Sequence, residues 1–154
     1  MIAIRPYGAP DAGAFRELMT ACRAHYGLRP VPPADEAEML AELAAPFGIF
    51  ADLAWTGDRP IGFTCWMRVF PAAGSFAIYL KELFVSDGAR GTGAGRALMA
   101  HLARRALETG WDQLRWETAE PAARRFYARL GAADDGKTHY VMDGAALRAL
   151  AASG

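Results

Sequence analysis

Glycines alternate at positions 91, 93 and 95 in Arg90-Gly91-Thr92-Gly93-Ala94-Gly95-Arg96, directly ahead of a segment with helical periodicity. The first turn of a helix leaves backbone N–H groups without partners and carries the positive end of the helix dipole, so it attracts phosphate. Glycines there remove the side chains that would keep a diphosphate away and permit backbone angles closed to other residues. Arg90 and Arg96 add positive charge at the two edges. A flexible turn with a helix cap accounts for one glycine but not for an alternating trio, so the segment reads as an anion site. Spacing narrows the ligand. The dinucleotide fingerprint G-x-G-x-x-G is absent, because Arg96 and Leu98 stand where its last glycine would fall. Gly88 and Gly93 have P-loop spacing, but Ala94-Gly95 follows where Lys and Ser or Thr are required.

The elements that must position this segment follow from hydrophobic periodicity. Ile2 and Ile4 alternate with small or polar neighbours before Pro6, which reads as a short strand. Phe15, Leu18, Met19 and Cys22 recur at helical spacing behind a candidate N-cap at Asp11, predicting a helix to about His25. The proline-rich stretch Gly27 to Pro33 is a loop, and Ala34 to Ala45 favours a second helix. Two apolar runs, Ile49 to Trp55 and Ile61 to Phe70, flank the turn residues 56–60 and predict a hairpin. After a break at Pro71 to Gly74, a third run from Phe76 to Val85 completes an antiparallel meander and leads into the glycines. Ala94, Leu98, Leu102 and Ala106 mark a third helix closed by Gly110. Leu114 to Thr118 predicts a strand, Pro121 opens a fourth helix that stops at Leu130-Gly131, and a last strand around His139 to Met142 precedes a short helix near Ala145 to Leu150. Helices inserted among strands, with no repeat and no linker, give one mixed α/β domain over residues 1–154.

Arg-x-x-Gly-x-Gly on Arg90, Gly93 and Gly95, directly after Leu83-Phe84-Val85, resembles the GNAT superfamily of acyl-CoA N-acyltransferases. A second landmark agrees: Phe126-Tyr127 followed by Leu130-Gly131-Ala132 looks like the family's aromatic-Tyr and Leu-Gly-Ala segment. The likeness extends over essentially the whole chain. It implies a central mixed, mostly antiparallel twisted sheet of six to seven strands flanked by about four helices. The activity implied is transfer of an acetyl group from acetyl-CoA, as cosubstrate, to a primary amine by direct attack in a ternary complex, with no metal. Tyr79 to Val85 is similar to the small-molecule amine and polyamine branch, but Lys81-Glu82 stands where that branch has a Glu-Asp pair.

The resemblance also implies roles. The strand backbone at Leu83, Phe84 and Val85 would contact the pantetheine arm, and Arg90, Gly91, Thr92, Gly93, Ala94, Gly95 and Arg96 would hold the pyrophosphate. Tyr127 would protonate the departing thiolate. An alkylammonium acceptor, with a pKa near ~10.4, needs its proton removed before it can attack, and Glu82 is the candidate base. An ion-paired or solvated Glu82 is the competing reading. Glu120 replaces an asparagine common in relatives, and Arg124, Arg125 and Arg129 either approach the 3′-phosphate or form a solvated face.

Bulk properties bound the rest. Seventeen basic residues balance seventeen acidic ones, so no net field draws the chain to nucleic acid or an anionic membrane. Cys22 and Cys65 form no CxxC motif and sit among apolar residues, which predicts buried, reduced thiols. Met1 to Pro6 is too short and too soon interrupted for a signal peptide's apolar region and no run approaches membrane-spanning length, which predicts a cytoplasmic protein. His25, His101 and His139 are scattered without metal-ligand spacing, and His101 is predicted to be exposed. Trp55, Trp66 and Trp116 read as core, with Trp66 and Tyr26 as alternative walls of an amine pocket built from residues 26–35 and 70–76. Two further functions compete: a non-catalytic acyl-CoA sensor, and a protein-lysine or N-terminal acetyltransferase. Relatives often form homodimers; the sequence leaves the oligomeric state open.

Overall fold

The computed structural model describes residues 1–44, 48–70 and 76–153. The break expected over 71–74, and Ala45 at the end of the second predicted helix, lie outside the described residues. Contacts divide the chain into two compact units, Met1–Trp116 and Glu117–Gly154.

The first unit is a sheet of five strands in sequence order: β1 (Ile2–Pro6), β2 (Ile49–Thr56), β3 (Arg59–Val69), β4 (Ala77–Val85) and β5 (Gln113–Arg115). The first four are antiparallel neighbours, whereas β5 runs parallel to β4. That parallel pair needs a crossover, which α3 (Ala94–Glu108) supplies. One face of the sheet carries α1 (Ala12–His25), where Phe15, Leu18, Cys22, Leu53, Phe63, Cys65 and Phe84 form a buried cluster. The face beneath α3 buries Ala54, Ile61, Ala94 and Leu98, with Leu83 and Val85 packed against them. Helix α2 (Pro33–Ala44) follows the proline loop. Side chains of β4 thus alternate between two cores, as the pleat requires.

Helix boundaries match their local chemistry. α3 stops where Gly110 adopts a φ of 77°, with the Gly110 N–H bonded to Leu107 O at 3.1 Å and the Trp111 N–H to Ala106 O at 2.8 Å, the paired bonds of a Schellman cap. Asp11 precedes α1 as expected, but its carboxylate does not cap that helix. It accepts two bonds of 2.6 Å from the Arg5 guanidinium and one of 3.0 Å from the Gly8 N–H.

The second unit holds α4 (Pro121–Arg129) and α5 (Gly144–Ala151). The strand expected at His139 to Met142 is not formed: these residues join no ladder. Their β-branched and aromatic content favours a strand only where a neighbouring strand is present to bond. The sheet accordingly has five strands rather than six or seven, with five α-helices rather than four, among the described residues. No helix among the described residues is long and apolar enough to cross a membrane.

Candidate active site

The last residues of β4 are built unlike the rest of the strand. Its parallel ladder with β5 covers only Ala77, Ile78 and Tyr79, while its ladder with β3 continues to Val85. Past Tyr79, therefore, β4 is laddered on the β3 side alone among the described residues. A β-bulge falls here too, because Cys65 faces Glu82 and the next pair is Trp66 with Leu80, leaving Lys81 as the extra residue. At the strand's end β3 approaches unusually closely: a Cβ on Gly62 would lie 2.6 Å from the Phe84 carbonyl oxygen. Only glycine permits that contact.

From Val85 the chain enters a single 3-10 turn at Asp87–Ala89, secured by the Ala89 N–H to Ser86 O at 2.8 Å. Arg90 Nε donates to Val85 O at 3.2 Å and its Nη1 lies 2.9 Å from Asp87 Oδ1, which ties the loop back to β4. The Thr92 hydroxyl donates to Ala89 O at 2.7 Å. Gly91 and Gly93 then take φ values of 77° and 92°, in the left-handed region that favours glycine. A Cβ on either would meet nothing within 4 Å, so open space lies in front of both. Gly93 is the N-cap of α3, and the Ala97 N–H bonds to its carbonyl at 2.9 Å. Ala94 is buried against the sheet while Arg96 is exposed.

Glu82 belongs to the opposite face of β4. It is half-buried across from Cys65, on the side where Phe84 packs into the α1 cluster. Burial holds its carboxyl above the usual glutamate range, with Lys81 opposing the shift. The two thiols feel the same environment. Cys22 is pushed up to about 11, by burial first and then by the Glu82 charge. Cys65 is raised further, again by burial first. Both cysteines are buried free thiols, as the sequence predicts, and neither presents a thiolate near neutral pH. Phe84 lies with its ring 6.4 Å from that of His25 at the end of α1. Beside α1, Met19, Leu28, Val31, Met39 and Leu40 line a cavity of about 160 Å³, while residues 71–75 of the other segment expected to build the amine pocket lie outside the described residues.

Trp66 is core, not pocket wall, and Tyr26 is exposed. The Trp66 indole N–H donates to Asp52 Oδ2 at 2.7 Å, and Asp52 is fully buried. His101, expected to be exposed, is instead partly covered, with its Nε2 3.1 Å from Asp52 Oδ1. Asp52 and Gly62 were not singled out by motif. Each left a signal nonetheless: a lone acid inside the apolar run Ile49 to Trp55, and a lone glycine inside the run Ile61 to Phe70.

Tyr127 lies in the second unit, on α4, with its ring 5.1 Å from that of Phe126. The Leu-Gly-Ala segment ends this helix as a Schellman cap: Gly131 has a φ of 89°, its N–H bonds to Ala128 O at 3.0 Å, and the Ala132 N–H reaches Tyr127 O at 3.1 Å. Arg124 Nε donates to Thr118 O at 3.4 Å. The geometry therefore gathers Glu82, Leu83, Phe84, Val85 and residues 90–96 at one corner of the first unit, and places Tyr127 in the second.

Solved structures share this architecture. An integron cassette protein from the mobile metagenome of V. cholerae superposes with a TM-score of 0.83 at 29% identity, over 99% of this chain and 98% of that one. An aminoglycoside acetyltransferase from an uncultured soil metagenomic sample, in complex with sisomicin, gives 0.81 at 14% identity over 92% and 95%. The ribosomal-protein-alanine N-acetyltransferase of Brucella melitensis gives 0.76 at 24% identity over 93% and 100%. No curated protein sequence matches the chain significantly. Residues 14–132 match the acetyltransferase (GNAT) family, and the chain belongs to it. It is an acyltransferase by family, with acetyl-CoA as cosubstrate.

Proposed function

We propose that the chain transfers the acetyl group of acetyl-CoA to the primary amine of a small molecule, by direct attack in a ternary complex. The observation that carries this reading is the corner where β4, laddered on one side, runs into two left-handed glycines at the mouth of α3. Residues 90–96 present main-chain amides and the Arg90 and Arg96 guanidiniums to the pyrophosphate. The backbone of Leu83 and Val85, which faces away from β3, offers strand-type hydrogen bonds to the amide-rich pantetheine arm, as an added strand would receive, while the Phe84 backbone between them is turned to its partner Phe63.

Glu82 stands on the other face of the same strand as the base. A carboxyl raised by burial is better matched to removing an ammonium proton near neutral pH than an ordinary glutamate. The freed amine nitrogen attacks the thioester carbon, the adduct nitrogen gives up its remaining extra proton to water, and the carbon–sulfur bond breaks as Tyr127 gives its phenolic proton to the leaving thiolate and regains one from solvent. Cys22 and Cys65, held as thiols, have no part as nucleophiles, in keeping with direct transfer. Crystallisation of a fold neighbour with sisomicin, an amine, supports a small-molecule acceptor.

A panel of small amines, polyamines, amino acid amides and N-terminal peptides, read by coenzyme A thiol release, tests the reading. Saturable release with a small primary amine is the expected result. Saturable acetyl-CoA binding without release by any amine would instead identify a sensor, and release by peptides alone a protein acetyltransferase.

A further inference from the structure

We infer that Asp52 is a positioning residue for coenzyme binding, holding α3 at the axial rotation and height that its glycine-rich N-terminus requires. The inference rests on the reading that this N-terminus binds acetyl-CoA. Asp52 sits on β2, remote in sequence from the glycine segment, and none of its side chain is exposed. One carboxylate oxygen accepts the Trp66 indole N–H at 2.7 Å. The other lies 3.1 Å from His101 Nε2 and 3.8 Å from Arg105 Nη1. His101 and Arg105 are one turn apart on α3, so the carboxylate grips a single face of that helix. Arg105 also covers the Trp66 ring at 5.2 Å, and Trp66 stacks on Phe50 with centroids 4.4 Å apart.

Apolar contacts along α3, at Ala94, Leu98, Leu102 and Ala106, drive it onto the sheet but are not directional, so they tolerate small rotations and slides. Charge-assisted hydrogen bonds are directional and short-ranged, and they remove that freedom. An apolar residue on β2 would bury more cheaply than a carboxylate, and the best-attested use of a buried ionic group is to fix register. His101 is seven residues from Ala94, roughly 10 Å along the helix, so a rotation of α3 at the clamp is transmitted to the amides of residues 93–96. Displacements of about 1 Å in a binding constellation are enough to weaken it severely.

Calorimetric titration with coenzyme A and steady-state kinetics on the full chain test the assignment. Asp52→Asn is expected to weaken coenzyme A binding about tenfold and raise the KM for acetyl-CoA in proportion, with kcat and acceptor KM within about twofold. His101→Ala is expected to do the same, whereas His101→Gln, which keeps a donor facing Asp52, should restore most of the affinity. Lowered thermal stability with unchanged coenzyme affinity in Asp52→Asn and His101→Ala would reduce the cluster to a purely structural role and overturn the inference. Should Asp52→Asn fail to fold, the contrast between His101→Ala and His101→Gln decides alone, since equal affinities in that pair also overturn it. Absence of coenzyme binding by the unaltered chain would instead remove the proposed function, a result visible before any variant is made.

Discussion

The two faces of one strand are made from different materials. On the α3 face, the corner where β4 meets Gly91 and Gly93 is a main-chain construction, in which backbone angles and a helix terminus do the work and side chains are chiefly absent. On the α1 face, Glu82 depends on what surrounds it: Cys65 across the ladder, Phe84 beside it and the half-buried setting that lifts its carboxyl. A main-chain site tolerates changes of neighbouring side chains and fails when its dihedral angles fail. A side-chain site is retuned by every neighbour. Such a division suits an enzyme whose cosubstrate is fixed by family while its acceptor is not.

Variants on each face should therefore separate chemistry from coenzyme affinity. The largest effect belongs to the residues proposed to move protons: Glu82→Gln and Tyr127→Phe should each lower kcat by roughly a hundredfold or more, with coenzyme A affinity by calorimetry nearly unchanged. Equal losses in both quantities would break the distinction. The pH profile sharpens it further. A base must be unprotonated to act, so kcat/KM should fall with decreasing pH through the Glu82 titration, above the ordinary glutamate value of about 4.3. Glu82→Gln should erase that acid limb. Next in size, Gly93→Val forces a branched residue to a φ of 92°. Strain of about 1–3 kcal/mol should appear as a roughly ten- to hundredfold weaker coenzyme A complex, with kcat at saturation less affected.

Gly62→Ala tests the junction of the two faces. A Cβ placed 2.6 Å from the Phe84 carbonyl must push β4 away from β3, so thermal denaturation should show a loss of about 1–3 kcal/mol together with a raised KM for acetyl-CoA. The smallest effect is the control, Arg5→Ala, which touches neither face. The hydrogen bonds from Arg5 hold the Asp11 carboxyl below its usual range, with burial opposing them and the Gly8 N–H assisting. A depressed acid stabilises the fold above its unfolded pKa and loses that contribution as pH falls through the folded value. Arg5→Ala should cost about 1 kcal/mol at neutral pH, a difference that shrinks in acid, while kcat stays unchanged.

Legibility in the sequence follows the same division. Alternating glycines, Pro121 and the Leu-Gly-Ala stop are local signals, because each specifies a backbone state that neighbours along the chain largely decide. Nearly every helix and strand of the first unit was readable for that reason. His101 was not: its partner is Asp52, forty-nine positions away on another element, and nothing near either residue announces the pair. Asp11 misled in the opposite sense, since an acid before a helix suggests a cap, yet the Arg5 guanidinium on the neighbouring strand outcompeted the helix amides for its oxygens. The expected strand at 139–142 shows the remaining weakness, that pattern reveals the inclination to pair but not whether a partner is present.

The bulge at Lys81 has a consequence for how the strand keeps count. Leu80 and Glu82 are two apart and would share a side in an uninterrupted ladder, yet Leu80 faces Trp66 while Glu82 faces the adjacent position, Cys65. The one additional residue resets the phase. Deleting Lys81 would make Leu80 and Glu82 consecutive, and regular pairing would keep them on opposite sides; it is flattening the bulge with Lys81 still in the chain that forces a choice, either turning Leu80 and Ile78 to the α1 side or swinging the carboxyl over to the α3 side. An acid and an oily anchor so close together can occupy opposite sides of the sheet only because the strand stumbles once between them.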